Sequence, residues 1–239
     1  MATCKNCKSE ISEKYCPNCG EPLNLKRIDC HYIVHEIEHV LHFEKGIFYT
    51  IRELLLKPGD TIRHFIVENR NRLVKPILFI IITSLIYTFA IHYFDIEDRY
   101  VKIEGLDNST IDYILKWNQK HYGYFNIILG AFIALWLKIF FKKYTYNYFE
   151  ILILLCFVLG MNMLLLGLFV VFQGLTHIEV MKVAAISSIL YSVWAIGQFF
   201  DRPKVMSYVK ALAAYLLGFM TYMAAVLLIG SVIDLMIKH

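Results

Sequence analysis

The stretch Phe149–Gln173, FEILILLCFVLGMNMLLLGLFVVFQ, decides the fold of this chain. Glu150 is its only charged residue and stands one place from its start. A helix rises about 1.5 Å per residue, so about 20 such residues cross the roughly 30 Å hydrocarbon core of a bilayer. Four more apolar stretches of similar length lie at Pro76–Phe94, Tyr124–Phe141, Val183–Phe200 and Ala211–Ile233. The pattern predicts an all-α integral membrane protein with five transmembrane helices, and residues 76–239 form that bundle. Composition agrees: of 239 residues 58% are apolar and 18% charged, and the mean hydropathy is +0.52, values that exclude an ordinary soluble domain. Tyr and Phe crowd the ends of the apolar runs, where the bilayer interface favours them.

Polar residues inside the runs are few and uncharged. Asn162 lies near the midpoint of the third span, beside Gly160. Ala184, Ser188 and Ser192 recur every four residues, and Ala214 with Gly218 repeats that spacing. Small residues so spaced let helix backbones approach, so spans four and five are expected to pack on each other or on a second copy in a homo-oligomer. Asn162 carries two readings, an interhelical hydrogen bond, which is favoured, or the site of a small-solute permease. No charged residue lies near a span centre and no internal repeat is visible, which disfavours a proton-coupled transporter. Any conducting path would run between subunits of an oligomeric pore.

Orientation follows from the cations. Of 24 Lys and Arg residues only Arg99, Lys102, Lys116, Lys120, Lys182 and Lys238 fall on one side of the expected topology. The positive-inside tendency then places the N-terminus in the cytoplasm and the C-terminus outside, in a bacterial inner membrane. The external connection 95–123 reads as a plain loop, with a helix over Thr110–His121 anchored by Trp117 as the alternative. No secretory signal peptide is expected, because a polar segment of more than about 70 residues precedes the first apolar run.

Residues 1–27 read as a zinc ribbon. Cys4 and Cys7 form one C-x-x-C pair, Cys16 and Cys19 a second. Four thiolates close a tetrahedral shell around Zn2+, leaving no open position for a substrate, so the metal is structural. A redox dithiol or disulfides are the alternative. The segment resembles the short zinc ribbons at the N-termini of many bacterial proteins, and that resemblance implies a docking or spacer module.

Residues 28–75 lead from the ribbon to the first span. Ile33, Val34, Ile37, Val40, Leu41 and Phe48 share one face of an amphipathic helix, and His31, His35, His39 and His42 share the other. His35-Glu36-Ile37-Glu38-His39 satisfies H-E-x-x-H, in which two histidines hold zinc and Glu36 acts as general base. His64 and Glu68 are the only third-ligand candidates nearby. Three readings compete: an integral-membrane zinc metalloprotease, a non-catalytic metal or pH-sensing cluster, and a solvated helix face. The last is favoured, because Glu38 carries charge where such proteases have an uncharged residue and the segment is too short to wall a cleft. Pro58-Gly59 ends the first helix, and Asp60 or Thr61 is expected to cap a second. Arg63, Arg70, Arg72 and Lys75 then meet anionic headgroups at the membrane surface.

Thr50, the following Leu run, Pro58-Gly59, Ile62, Phe65-Ile66, Arg70 and Pro76 together resemble the signature of an uncharacterised bacterial family of multi-pass membrane proteins. The resemblance implies an N-terminal zinc ribbon joined through this segment to several spans, and it leaves activity open. Phosphate loops, nucleophile elbows and acidic metal pairs are missing, and no basic-aromatic stripe predicts specific nucleic-acid binding. The expectation is a non-enzymatic protein in which a ribbon and juxtamembrane platform serves a cytoplasmic protein partner, as in an accessory of a stress or defence system. The lipid bilayer is its other partner.

Overall fold

The computed structural model describes residues 2–11, 14–20, 22, 46–96 and 110–238. Cys30, His31, His35, Glu36, His39 and His42 lie outside the described residues, as does most of the expected histidine helix. Within the described residues the chain is all-helical apart from a two-residue ladder, β1 (Ala2–Thr3) against β2 (Glu10–Ile11), in the cysteine-bearing N-terminus. Eight helices follow: α1 (Ile47–Leu56), α2 (Pro58–Val67), α3 (Pro76–Phe94), α4 (Thr110–Lys120), α5 (Tyr122–Phe140), α6 (Tyr148–Thr176), α7 (Met181–Asp201) and α8 (Val205–Lys238).

Five of these, α3 and α5 to α8, are long and apolar enough to cross a membrane. α6 is their axis. It packs against α3, α5 and α7, and 72% of its most apolar window is buried, against 22% for α8. The difference explains why the opening stretch is apolar all round: its partners are helices on most sides, whereas α8 turns most of its apolar surface outward. Asn147 starts α6 with a capping box: its side chain accepts from the Glu150 N–H at 2.8 Å, and the Glu150 carboxylate accepts from the Asn147 N–H at 2.6 Å. Glu150 therefore serves the helix end, which is why one charge is tolerated there. α8 begins at Val205, ahead of the expected Ala211, because Val205–Lys210 continues the same helix.

The first arrangement that the sequence does not reveal is that of α2. This helix packs among α1, α6 and α7, with Ile62, Phe65 and Ile66 buried in the same core as Phe157 and Phe199. The Phe65 ring meets Phe157 of α6 edge-on, centroids 5.2 Å apart. Pro58 is the first residue of α2 and not merely the break before it, so Asp60 and Thr61 sit inside the first turn and neither caps it. The hairpin of α1 and α2 is pinned at its return. Thr50, wholly buried on α1, accepts a 3.0 Å hydrogen bond from the N–H of Val74, which is also buried.

Replacing Thr50 by Val removes that acceptor and strands a buried N–H, a loss of about 2 kcal/mol. Thr50→Val is expected to melt measurably below wild type in detergent, and Thr50→Ser, which keeps the oxygen, to melt close to it. Equal melting of both variants and wild type would show that the bond contributes nothing.

A departure from the sequence reading lies in α4. The connection 95–123, read as a plain loop, carries the helix that was the alternative. Ile111, Leu115 and Asn118 face inward at helical spacing, and α4 packs on α8 and α5. Its N-terminus is held by Asp234 near the end of α8, which accepts from the Thr110 N–H at 3.0 Å and from the Thr110 hydroxyl. A carboxylate at a helix N-terminus satisfies free N–H groups and opposes the positive end of the dipole. Trp117 is partly exposed and stacks on His121 at 4.8 Å.

Candidate functional site

The four cysteines converge. One sulfur from each of Cys4, Cys7, Cys16 and Cys19 lies within 4.8 Å of all the others. Cys4 to Cys19 is 3.6 Å and Cys7 to Cys16 is 3.5 Å. Tetrahedral Zn–S bonds of about 2.3 Å set sulfurs about 3.8 Å apart, so the spacing suits one shared ion.

Each knuckle is built the same way. Lys8 and Gly20, each one residue past the second cysteine of its pair, adopt left-handed φ angles of 63° and 72°. The Lys8 N–H returns to the Cys4 carbonyl at 3.0 Å, and the Gly20 N–H to the Cys16 carbonyl at 2.8 Å. These tight turns bring both sulfurs of a pair to one side. Gly20 takes the conformation without steric cost, whereas Lys8 takes it against its Cβ.

Ser9 sits between the pairs, its hydroxyl 2.9 Å from the Cys7 sulfur and 3.1 Å from Cys16. Its hydroxyl and then its backbone N–H hold the Cys7 thiol down, to about 6 from the usual 9.0. The Cys16 thiol is lowered as well, chiefly by the same hydroxyl. Hydrogen bonds stabilise the charged sulfur, which is the form a metal needs. Nothing in the sequence singles out Ser9; only the folded knuckles place it there.

The basic residues have internal tasks that the sequence did not announce. Arg63 of α2 donates to the Gln198 carbonyl in the last turn of α7 at 2.7 Å, and Arg70 donates to the Ile66 carbonyl in the last turn of α2 at 3.3 Å. Both satisfy carbonyls left unpaired at a helix C-terminus, where the dipole also favours a cation. Tyr191 of α7 returns the favour, its hydroxyl donating to the Leu54 carbonyl at the end of α1 at 3.1 Å. Arg72 donates to the Tyr49 hydroxyl at 2.5 Å. Lys75 stands at the N-cap position of α3. His64 and Glu68, the third-ligand candidates, face each other at 2.9 Å.

Within the bundle, Asn162 donates through Nδ2 to the Ser192 hydroxyl at 2.8 Å, joining α6 to α7. Ser188 is buried one turn away, and Ala184 is wholly buried on the same helix. α7 and α8 pack on each other, but Gly218 of α8 is pressed on α5, where an added Cβ would meet the Ile133 Cα at 2.7 Å.

Together these features define a multi-pass, membrane-type helical protein with a four-cysteine cluster able to ligate metal. Residues 44–88 match a family described as a protein of unknown function (DUF3667). No curated protein and no solved structure matches the chain. The matched segment takes in α1, α2 and most of α3, and the four cysteines lie outside it.

Proposed function

We propose that this chain is a non-enzymatic multi-pass protein of a bacterial inner membrane, whose N-terminal zinc ribbon docks a cytoplasmic protein partner while the bundle anchors it. Residues 1–27 form the docking module, residues 28–75 the link and residues 76–239 the anchor. The observation that carries this reading is the cysteine cluster: four sulfurs within 4.8 Å of one another can fill the tetrahedral shell of one zinc ion, which would then hold a small fold together with no position left for a substrate. A module of this size has almost no core of its own, and its exposed surface is what remains for binding. The distribution of cations supports a cytoplasmic ribbon, and thiolates persist in a reducing compartment.

One cross-linking experiment tests docking and orientation together. A membrane-permeant amine cross-linker in intact cells is expected to attach a protein to the ribbon, whose Lys5, Lys8 and Lys14 supply the amines. An impermeant reagent of the same reach is expected to leave it untouched, and the adduct is expected to vanish in Cys4→Ser/Cys16→Ser. Labelling by the impermeant reagent would reverse the orientation, and an adduct that survives the cysteine changes would remove the ribbon from the docking role.

A further inference from the structure

Three buried polar atoms without a hydrogen-bond partner, Asn126 Nδ2 of α5, Asn162 Oδ1 of α6 and Ser188 Oγ of α7, belong to residues that line one cavity. Their residues are 2%, 2% and 6% exposed. A stranded polar group in a low-dielectric interior costs about 1–3 kcal/mol, so three around one space point to something that binds there. The orientation of the Asn162 amide follows from its neighbours. The Ser192 hydroxyl donates to the Ser188 carbonyl at 2.9 Å, so its oxygen is left to accept from Asn162 Nδ2. The Asn162 oxygen is thereby left as the open acceptor, while Asn126 offers a donor and Ser188 either.

The cavity has a volume of about 470 Å3, within the range of small-molecule sites. Leu115 and Asn118 of α4 close one end of it. Among the described residues no Asp, Glu, Lys, Arg or His lines it. Bringing an ionised group into such a site, with no counter-charge, costs several kcal/mol.

Its opening is apolar. α7 and α8 are tight near their shared turn, where the Tyr208 ring covers Gly197. Farther along, α8 leaves α7 for other partners, Gly218 resting on Ile133 of α5 and Gly230 on Ile111 of α4. Leu216 and Phe219, which line the cavity from α8, are 47% and 38% exposed. The α8 side of the cavity thus carries exposed apolar residues where acyl chains would lie.

We propose that this cavity binds a lipid with an uncharged head carrying both a hydroxyl and a carbonyl, of the diacylglycerol kind, admitted laterally between α7 and α8. The carbonyl or hydroxyl oxygen accepts from Asn126 Nδ2, the hydroxyl donates to Asn162 Oδ1, and the acyl chains leave past Leu216 and Phe219. The inference goes beyond the docking reading and does not rest on it.

The test uses the full chain in phosphatidylcholine nanodiscs with a photoreactive diacylglycerol. Adducts are expected on the cavity-lining parts of α6 and α8, and dioleoylglycerol is expected to compete while dioleoylphosphatidylglycerol does not. In Asn126→Leu/Ser188→Ala the competition should weaken about tenfold, as two neutral hydrogen bonds would require. Labelling spread along the outward face of α8, or equal competition by the anionic lipid, overturns the proposal. Protection by water-soluble glycerol monobutyrate alone would identify an aqueous solute and overturn lateral entry. Ser188→Ala removes an atom with no protein partner, so its melting temperature should not fall. The wild-type competition series decides the matter whatever the variants do.

Discussion

Gly59→Ala is expected to unseat α2 and to cost about 3 kcal/mol, the upper end of what an overpacked contact exacts. Gly59 is buried in the first turn of α2, where that helix crosses the end of α7. A Cβ there would lie 2.5 Å from the carbonyl carbon and from the Cβ of Gln198, and 2.6 Å from the Phe199 nitrogen. Two of those atoms are backbone, so no rotamer change relieves the clash; one helix must move. If it moves, Arg63 loses the Gln198 carbonyl and Phe65 loses its place on Phe157. Set against a total stability of about 5–15 kcal/mol, the change is expected to lower the melting temperature sharply and reduce the monodisperse fraction in detergent. Gly123→Ala is the control, since its Cβ would meet the Ser84 Cβ at an ordinary 3.6 Å. Equal melting of the two variants would show that α2 is not seated on α7.

Removing the cysteine ligands is expected to have the largest local effect. Structural zinc contributes an apparent 10–16 kcal/mol, roughly, to small ribbons near neutral pH, far more than their apolar contacts supply. The two-residue ladder and the few buried side chains around Cys4 and Cys16 cannot hold the segment without it. Purified wild type is expected to carry one zinc per chain, and Cys4→Ser/Cys16→Ser none. In the variant, Lys5, Lys8 and Lys14 should become sites of rapid tryptic cleavage, while the helices from α1 onward keep their melting temperature. A full equivalent of zinc retained by the variant would move the metal to His31, His35, His39 and His42 and sink the ribbon assignment.

Much of the architecture was legible because it rests on two strong signals. An apolar run long enough to cross a bilayer has few other uses, and α3 falls on the residues expected for its span, Pro76–Phe94. Paired C-x-x-C spacing likewise brings the cysteines together, since each short turn fixes two sulfurs at once. What escaped the sequence was decided by contacts far along the chain. Pro58-Gly59 reads as a helix break, and its second role, a glycine thin enough for α7, depends on a partner about 140 residues later. The hydrogen bonds of Arg63 and Arg70 go to the carbonyls of Gln198 and Ile66, backbone atoms that leave no mark on composition. α4 was passed over for a plain loop because its inward residues are only Ile111, Leu115 and Asn118, too few to outweigh its polar remainder. The orphaned polar atoms are visible in the sequence only as scattered residues of the spans; that Asn126, Asn162 and Ser188 line one cavity follows from how α5, α6 and α7 meet.

The seating of α2 also bears on biosynthesis. Arg63 and Gln198 are 135 residues apart, and Leu54 and Tyr191 are 137 apart. The α1–α2 hairpin leaves the ribosome before the five long apolar helices described above, yet the surface it fits is complete only when α7 has emerged. Ribosomes add about 5–20 residues per second, so the hairpin waits several seconds or more with Phe65 and Ile62 uncovered. Its full seating is therefore a late step in assembly, and a chain that stops short of Met181 offers it α1 and α6 but not α7.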